Sequence, residues 1–281
     1  MSVTFVRILA CLLLWGTSLD ARPQTPACSS AASNAFYTGP FLGPENRIAA
    51  QDFYRDYYCS EQFRSSRYPA GFVTIFGSST IVENNTKGTP EVNLANNLVY
   101  ADVMAFASEW TRKKSRFPIM TGAGPGLMEA GSRGAAAAGG PSIGFTTYYF
   151  QGNPANAFHR YRDTDQIVTD GLVFSSVAVR ESEMFRHSAA MVIAPGGSGT
   201  GWEIFQILET IKSQQLRGVP IYLVGNAYFH WRRFDDFLDD MHARGTIDKT
   251  VLMKNVIRVE RAVDVVPLLE AALRSSAPTD R

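Results

Sequence analysis

Apolar residues fall along this chain in short runs, separated by longer segments where they recur every three or four positions. The runs read as buried strands. They are Phe72-Val73-Thr74-Ile75-Phe76, Phe117-Pro118-Ile119-Met120, Ser142-Ile143-Gly144-Phe145-Thr146, Ala189-Ala190-Met191-Val192-Ile193-Ala194, Val219-Pro220-Ile221-Tyr222-Leu223-Val224-Gly225 and Asn255-Val256-Ile257-Arg258-Val259. Gln166-Ile167-Val168 and Leu172-Val173-Phe174 are shorter extended pieces. Helical spacing predicts a helix from Glu45 to about Ser66 with Ile48, Phe53, Tyr54, Tyr57, Tyr58 and Phe63 as an aromatic inward face. A second runs from Pro90 to about Thr111 with Leu94, Leu98, Val99, Val103 and Phe106 inward, and an alanine-rich third ends at Gly139-Gly140. Further helices begin at Val179, carry Ile204, Phe205, Ile207, Leu208 and Ile211 on one face, and occupy Phe234 to Ala243 and 262–273. Strands alternating with helices predict an α/β fold: a Rossmann-like open, mostly parallel sheet with helices on both faces.

Glycines gather where strands give way to helices. The run ending at Ala194 leads into Pro195-Gly196-Gly197-Ser198-Gly199-Thr200-Gly201-Trp202-Glu203. At a helix start the first amides lack intrahelical partners and favour an anion. Glycine lets a phosphate come close, because no Cβ intervenes. Gly196, Gly197, Ser198 and Gly199 are therefore candidate phosphate contacts, and Thr200 either caps the helix or binds a phosphate oxygen. Glu203 is the odd member, since an anion site repels a carboxylate. It either works on a neighbouring sugar or supports the helix dipole.

Thr121-Gly122-Ala123-Gly124-Pro125-Gly126-Leu127-Met128-Glu129-Ala130 makes a second such turn, with Gly122, Gly124 and Gly126 offering backbone donors. It is not a dinucleotide fingerprint: Leu127 stands at the third glycine position, and no acidic residue follows about 20 residues later. No nicotinamide, flavin or other cofactor is expected. Gly77 and Ser78 close the first strand at its carboxyl end, where open α/β sheets bind ligands. Arg180 and Arg186 are the cations nearest in sequence to the Pro195 loop. A guanidinium there is either a phosphate fork or half of a salt bridge with Glu181 or Glu183.

Composition narrows the chemistry. A net charge of +1 without a long basic run gives nucleic acid no electrostatic footprint. The 4 histidines are scattered and there is no C-x-x-C, so no metal site is expected. Within residues 1–21, Arg7 is the first charge and Ile8 to Trp15 form an apolar core too short to span a bilayer. That pattern reads as a signal peptide, making the protein periplasmic or secreted with no membrane contact after removal. If the segment is not a cleaved signal, the protein is cytoplasmic. Residues 22–69 read as an irregular arm followed by the aromatic helix, 70–274 as the main domain, and 275–281 as a frayed tail. Cys28 and Cys59 pair in an exported chain or stay free thiols in a cytosolic one. Tyr148 to Arg162 is long enough to be a loop over a site.

Taken in order, Val73 to Ser79, Thr121 to Ala130, Pro195 to Glu203 and Val219 to Gly225 resemble the LOG (Lonely Guy) family of nucleoside 5′-monophosphate phosphoribohydrolases, in its longer bacterial branch. The spacing P-G-G-x-G-T-x-x-E after a buried strand carries most of that resemblance, which covers about residues 70–260. It implies hydrolysis of an N-glycosidic bond to free base and ribose 5-phosphate, a nucleoside monophosphate of the AMP type as partner, and a homodimer. It implies that Arg180 and Glu203 are the key residues of the active site. Glu129 is either a second sugar contact or a helix cap. The family usually carries lysine where this chain has Glu181, which exchanges a cation for an anion. A non-catalytic module binding a nucleotide-derived ligand or cofactor is the competing expectation, because a fold of this type hosts both. Amino-acid decarboxylation has no residue to carry it: Lys212 lies in no recognisable Schiff-base setting.

Overall fold

A computed structural model describes residues 25–31, 35–37, 47–147, 167–228 and 230–274. The leader, the Tyr148 to Arg162 segment and the tail lie outside the described residues. The elements, in chain order, are β1 (Ser29–Ala31), β2 (Ala35–Tyr37), α1 (Ala50–Arg67), β3 (Phe72–Phe76), α2 (Pro90–Arg112), β4 (Ile119–Thr121), α3 (Leu127–Ala137), β5 (Ser142–Thr147), β6 (Asp170–Phe174), α4 (Val177–Arg186), β7 (Ser188–Ile193), α5 (Ser198–Lys212), β8 (Ile221–Val224), α6 (Arg232–Ala243), α7 (Lys249–Leu252), β9 (Val256–Val259) and α8 (Val265–Arg274).

The strands form one sheet in the order β1-β2-β6-β5-β4-β3-β7-β8-β9. Every pairing is parallel except that of β1 with β2. The arm expected to be irregular thus contributes two short strands to one edge. Alternation along the strands divides the core into two faces. Val73, Ile75, Val192 and Tyr222 pack under α2, α3 and α8 through residues such as Val103, Leu127 and Leu269. Phe72, Phe76, Met191 and Leu223 pack under α1, α4, α5, α6 and α7 through Phe63, Phe185, Ile207, Leu238 and Leu252. This is the three-layer α/β arrangement expected from strands and helices that alternate.

Two helices present faces other than those expected. In α2, capped by Thr89 with Pro90 at its first position, Val99, Val103, Phe106 and Trp110 are buried. Leu94 and Leu98 are exposed, so the inward stripe starts one turn later than the apolar spacing suggested. In α1 the buried face is Asp56, Cys59, Ser60 and Phe63, whereas Tyr54 and Tyr57 face outward. The reason is the neighbour: α1 lies against α4, whose buried opening amides and buried Glu183 call for polar partners. Ser60 Oγ donates to Glu183 Oε2.

Cys59 of α1 is bonded to Cys28, tying the edge hairpin's approach to that helix. Closing a loop over a separation of 31 residues removes unfolded-state entropy worth about 3.7 kcal/mol. Replacing both cysteines with serine should therefore lower the unfolding free energy by about 3.7 kcal/mol, read from a denaturant titration. An unchanged midpoint would show that the arm contributes nothing.

Candidate functional site

The strand order changes direction at β3. The chain steps outward through β4 and β5 to β6 on one side, then returns to lay β7, β8 and β9 on the other. The carboxyl ends of β3 and β7 therefore flank the topological switch point, the place where open α/β sheets leave a crevice. Three loops meet there. Ser78 N–H donates to the Pro195 carbonyl at 3.0 Å, and Leu127 N–H donates to the Ser78 carbonyl at 2.9 Å. Gly126 sits at φ +72°, and a Cβ there would lie 2.3 Å from the Ser78 carbonyl oxygen. The loops after β3, β4 and β7 are thus stitched backbone to backbone.

That stitching divides the glycines by task. Gly77 is packed beneath Leu127 and Ala194. Ser78 Oγ is engaged with Thr80, through both its hydroxyl and its amide. Gly124 is covered by Met128. The first amide of α3 is already bonded to Ser78. Glu129 pairs with Arg133 at 2.8 Å.

The start of α5 differs. Its N-cap is Gly197, with no side-chain cap, and the first intrahelical bond is Gly201 N–H to Gly197 C=O at 2.9 Å. The amides of Ser198, Gly199 and Thr200 precede that bond and have no helical acceptor. Gly197, Ser198 and Gly199 are exposed, and a Cβ on Gly197, Gly199 or Gly201 would meet nothing within 4 Å. Space and unpaired donors coincide at this one turn. Thr200 is buried beneath Gly196, where a Cβ would overlap its Oγ1. Gly196 N–H donates to His230 Nε2 at 3.1 Å. Burial pushes the His230 imidazole below its usual range, which suits the neutral acceptor form.

Beside this turn stand two helices. The start of α4 is held by Asp56 of α1, whose Oδ2 accepts from Ser175 N–H at 3.0 Å, Ser175 Oγ at 2.6 Å and Ser176 N–H at 3.3 Å. Ser176 in turn caps α4. Arg180, near the start of α4, is only 5% exposed. Its Nη1 lies 2.9 Å from where a Cβ on Gly122 would sit, so the missing side chain of Gly122 makes room for the guanidinium. Its Nη2 is ion-paired with Glu181 Oε1.

Glu203, in the second turn of α5, completes the group. Burial pushes its carboxyl up to about 7, against the opposing pull of the Arg180 charge. Glu203 Oε2, Glu181 Oε2 and Arg180 Nε are all buried without a hydrogen-bond partner among the described residues. Unpaired buried polar atoms are costly and rare, and three in one spot, with a displaced pKa, mark a candidate functional cluster. One turn further, Gln206 Nε2 donates to Ser182 Oγ at 3.1 Å and fastens α5 to α4.

Arg180 and Glu203 are thus brought together beside the α5 turn. Arg186 lies apart, bonded to Glu61 and Glu183. Lys212 is exposed and paired with Glu209. Asp56, His230 and Gln206 were not singled out from sequence; each is recognisable only from its distant partner. Among the described residues no group of three histidine, cysteine or acidic side chains is placed to hold a metal, and no helix is long and apolar enough to cross a membrane.

No curated protein matches the sequence. Among solved structures, the chain is similar to the X-ray structure of TM1055 (20% identity, 54% of this chain and 73% of that one, TM-score 0.36). It is also similar to the molybdenum cofactor carrier protein MCP from Chlamydomonas reinhardtii (15% identity, 73% and 99%, TM-score 0.42). A third is the molybdenum cofactor binding protein from the phototrophic bacterium Rippkaea orientalis (18% identity, 72% and 97%, TM-score 0.45). A family profile described as "Possible lysine decarboxylase" matches residues 128–269, half of the chain and the half that holds Arg180, the glycine turn and Glu203. The chain belongs to that family, the LOG family.

Proposed function

We propose that this protein hydrolyses the N-glycosidic bond of a nucleoside 5′-monophosphate, giving free base and ribose 5-phosphate. The observation that carries the reading is Glu203: a carboxyl whose Oε2 is buried without a hydrogen-bond partner among the described residues, within the field of Arg180, on a helix whose opening amides have no helical acceptor and no side-chain cap. The amides of Ser198, Gly199 and Thr200 take the 5′-phosphate, and its binding energy positions the sugar. A water oxygen forms a bond to C1′ as the bond from C1′ to the base nitrogen breaks. The bonding pair leaves with the base, which ends with the proton the water gives up. Positive charge grows on the ribose ring along the way. Ionised Glu203 faces that charge, accepts the water proton and gives it up to the departing base. A group titrating near 7 is a stronger base than an ordinary carboxylate, yet is substantially ionised at neutral pH.

The disulfide between Cys28 and Cys59 supports a periplasmic or secreted location, where such bonds persist. A homodimer is part of the same proposal, from family membership. One observation favours the second reading, a non-catalytic binder of a nucleotide-derived ligand: Glu181 occupies the Arg180 guanidinium that would otherwise meet a phosphate.

Chromatography of AMP, CMP, GMP and UMP after incubation with the protein tests the choice. Base release from at least one is expected; tight binding without release from any would establish the binder. Gly122→Ala adds a second check. Its Cβ would displace Arg180 Nη1 and Met128 Sδ, both ends of flexible side chains. Base release should fall roughly 10- to 100-fold from this misplacement, with little change in thermal midpoint.

A further inference from the structure

We infer that Glu181 is a positioning residue for the reaction: it engages the Arg180 guanidinium and so keeps Glu203 free of an ion pair and basic enough to take a proton from water. Sequence alone makes Glu181 a misplaced anion in an anion site. Its position says otherwise. It is 2% exposed, and its Oε1 is paired with Arg180 Nη2. Glu203 has no ion pair among the described residues, although Arg180 is close enough for its charge to act on the carboxyl.

One buried guanidinium thus pairs with the buried Glu181 carboxyl while its charge also acts on the partly buried Glu203 carboxyl, with which it makes no ion pair among the described residues. The charged groups around Glu203 are few. From α4 comes Arg180, whose charge acts on the carboxyl, and Glu181 is tied to it through Arg180. Along α5 itself the next ionisable residue is Glu209, exposed and paired with Lys212. From the segment before α6 comes His230, which accepts from the Gly196 amide. Of the other acids nearby, Glu183 is turned toward α1, bonded to Ser60 and Arg186, and Glu129 is paired with Arg133.

Removing the Glu181 charge therefore has one electrostatic consequence at Glu203. The guanidinium becomes free to pair with it, which favours the ionised form. Glu203 then titrates lower and becomes a weaker base, whose capacity to drive proton removal falls accordingly.

The test is the variant Glu181→Gln, which keeps the side-chain volume, with Glu181→Ala as a second route should the first fail to fold. The kinetic arm rests on the hydrolase reading. In parent protein the rate of base release from AMP should rise through pH 7, and in Glu181→Gln that rise should move down by about one pH unit or more. A rise left in place, with the rate merely lower, would overturn the inference and leave Glu181 a packing residue.

The second arm needs no substrate. The stability difference between parent and Glu203→Gln, measured by denaturant at a series of pH values, reports the titration of Glu203. The same difference between Glu181→Gln and the double variant reports it without Glu181. A midpoint lower in the second pair sustains the inference even if no nucleotide is cleaved; equal midpoints overturn it.

Discussion

Replacing Glu203 with glutamine should lower base release from AMP by about 10²- to 10⁴-fold while making the protein more stable at alkaline pH. The loss follows from removing the group that takes the water proton and faces the ribose charge, contributions each worth about 10²-fold or more. The gain follows from linkage. Burial pushes the Glu203 carboxyl up to about 7 in the folded protein, against the 4.5 of an ordinary glutamate. Between those values the folded form holds a proton that the unfolded chain has released. Parent stability is full below about pH 4.5 and declines as pH rises to 7, by about 1.4 kcal/mol per unit and about 3 kcal/mol in all. Glutamine carries no such penalty, so the two proteins should diverge across that window and stay apart above it. Denaturant titrations at pH 4 and pH 8 check this. A variant that is inactive and also equally destabilised at both pH values would mean that Glu203 is a structural residue.

Gly126→Ala should cost about 4 kcal/mol or more, enough to leave little folded protein at 37 °C. Two effects combine. The residue sits at φ +72°, where a side chain is strained, and the new Cβ would lie 2.3 Å from the Ser78 carbonyl and 2.7 Å from the Ser79 carbonyl carbon. Both of these are backbone atoms, and Ser78 also donates to Pro195 and accepts from Leu127, so relief at one contact disturbs all three loops. Thermal denaturation reads the effect directly. A loss below about 1 kcal/mol would show that the loops are not interlocked as described.

Much of the architecture was legible because its signals are local. Phe72 to Phe76 and Met191 to Ile193 are continuous apolar runs, which a strand buried on both faces requires. The glycine turns stand where sheet meets helix. The reading missed features set by partners remote in sequence. Leu94 and Leu98 share helical spacing with Val99 and Val103, and nothing in the pattern says where α3 and α8 stop covering α2. Tyr54 and Tyr57 suggested an aromatic face on α1, but α1 meets α4, and Asp56 and Ser60 answer its polar demands.

At the site, the P-G-G-x-G-T-x-x-E spacing pointed to the α5 turn because unpaired amides follow from helix geometry alone. It could not separate Gly197 and Gly199, which face open space, from Gly196 and Gly126, which are held by packing. It could not show that Glu181 would be buried on Arg180, or that His230 would meet Gly196 across 34 positions.

The central claim is that a buried carboxyl beside Arg180 works on the sugar of a nucleotide whose phosphate is held at the start of α5. Its most direct test is a chromatogram of AMP incubated with the parent protein at pH 8. Adenine and ribose 5-phosphate appearing in equal amounts, and absent with Glu203→Gln, is the predicted result; AMP bound by the protein yet recovered intact, with CMP, GMP and UMP intact as well, would contradict it.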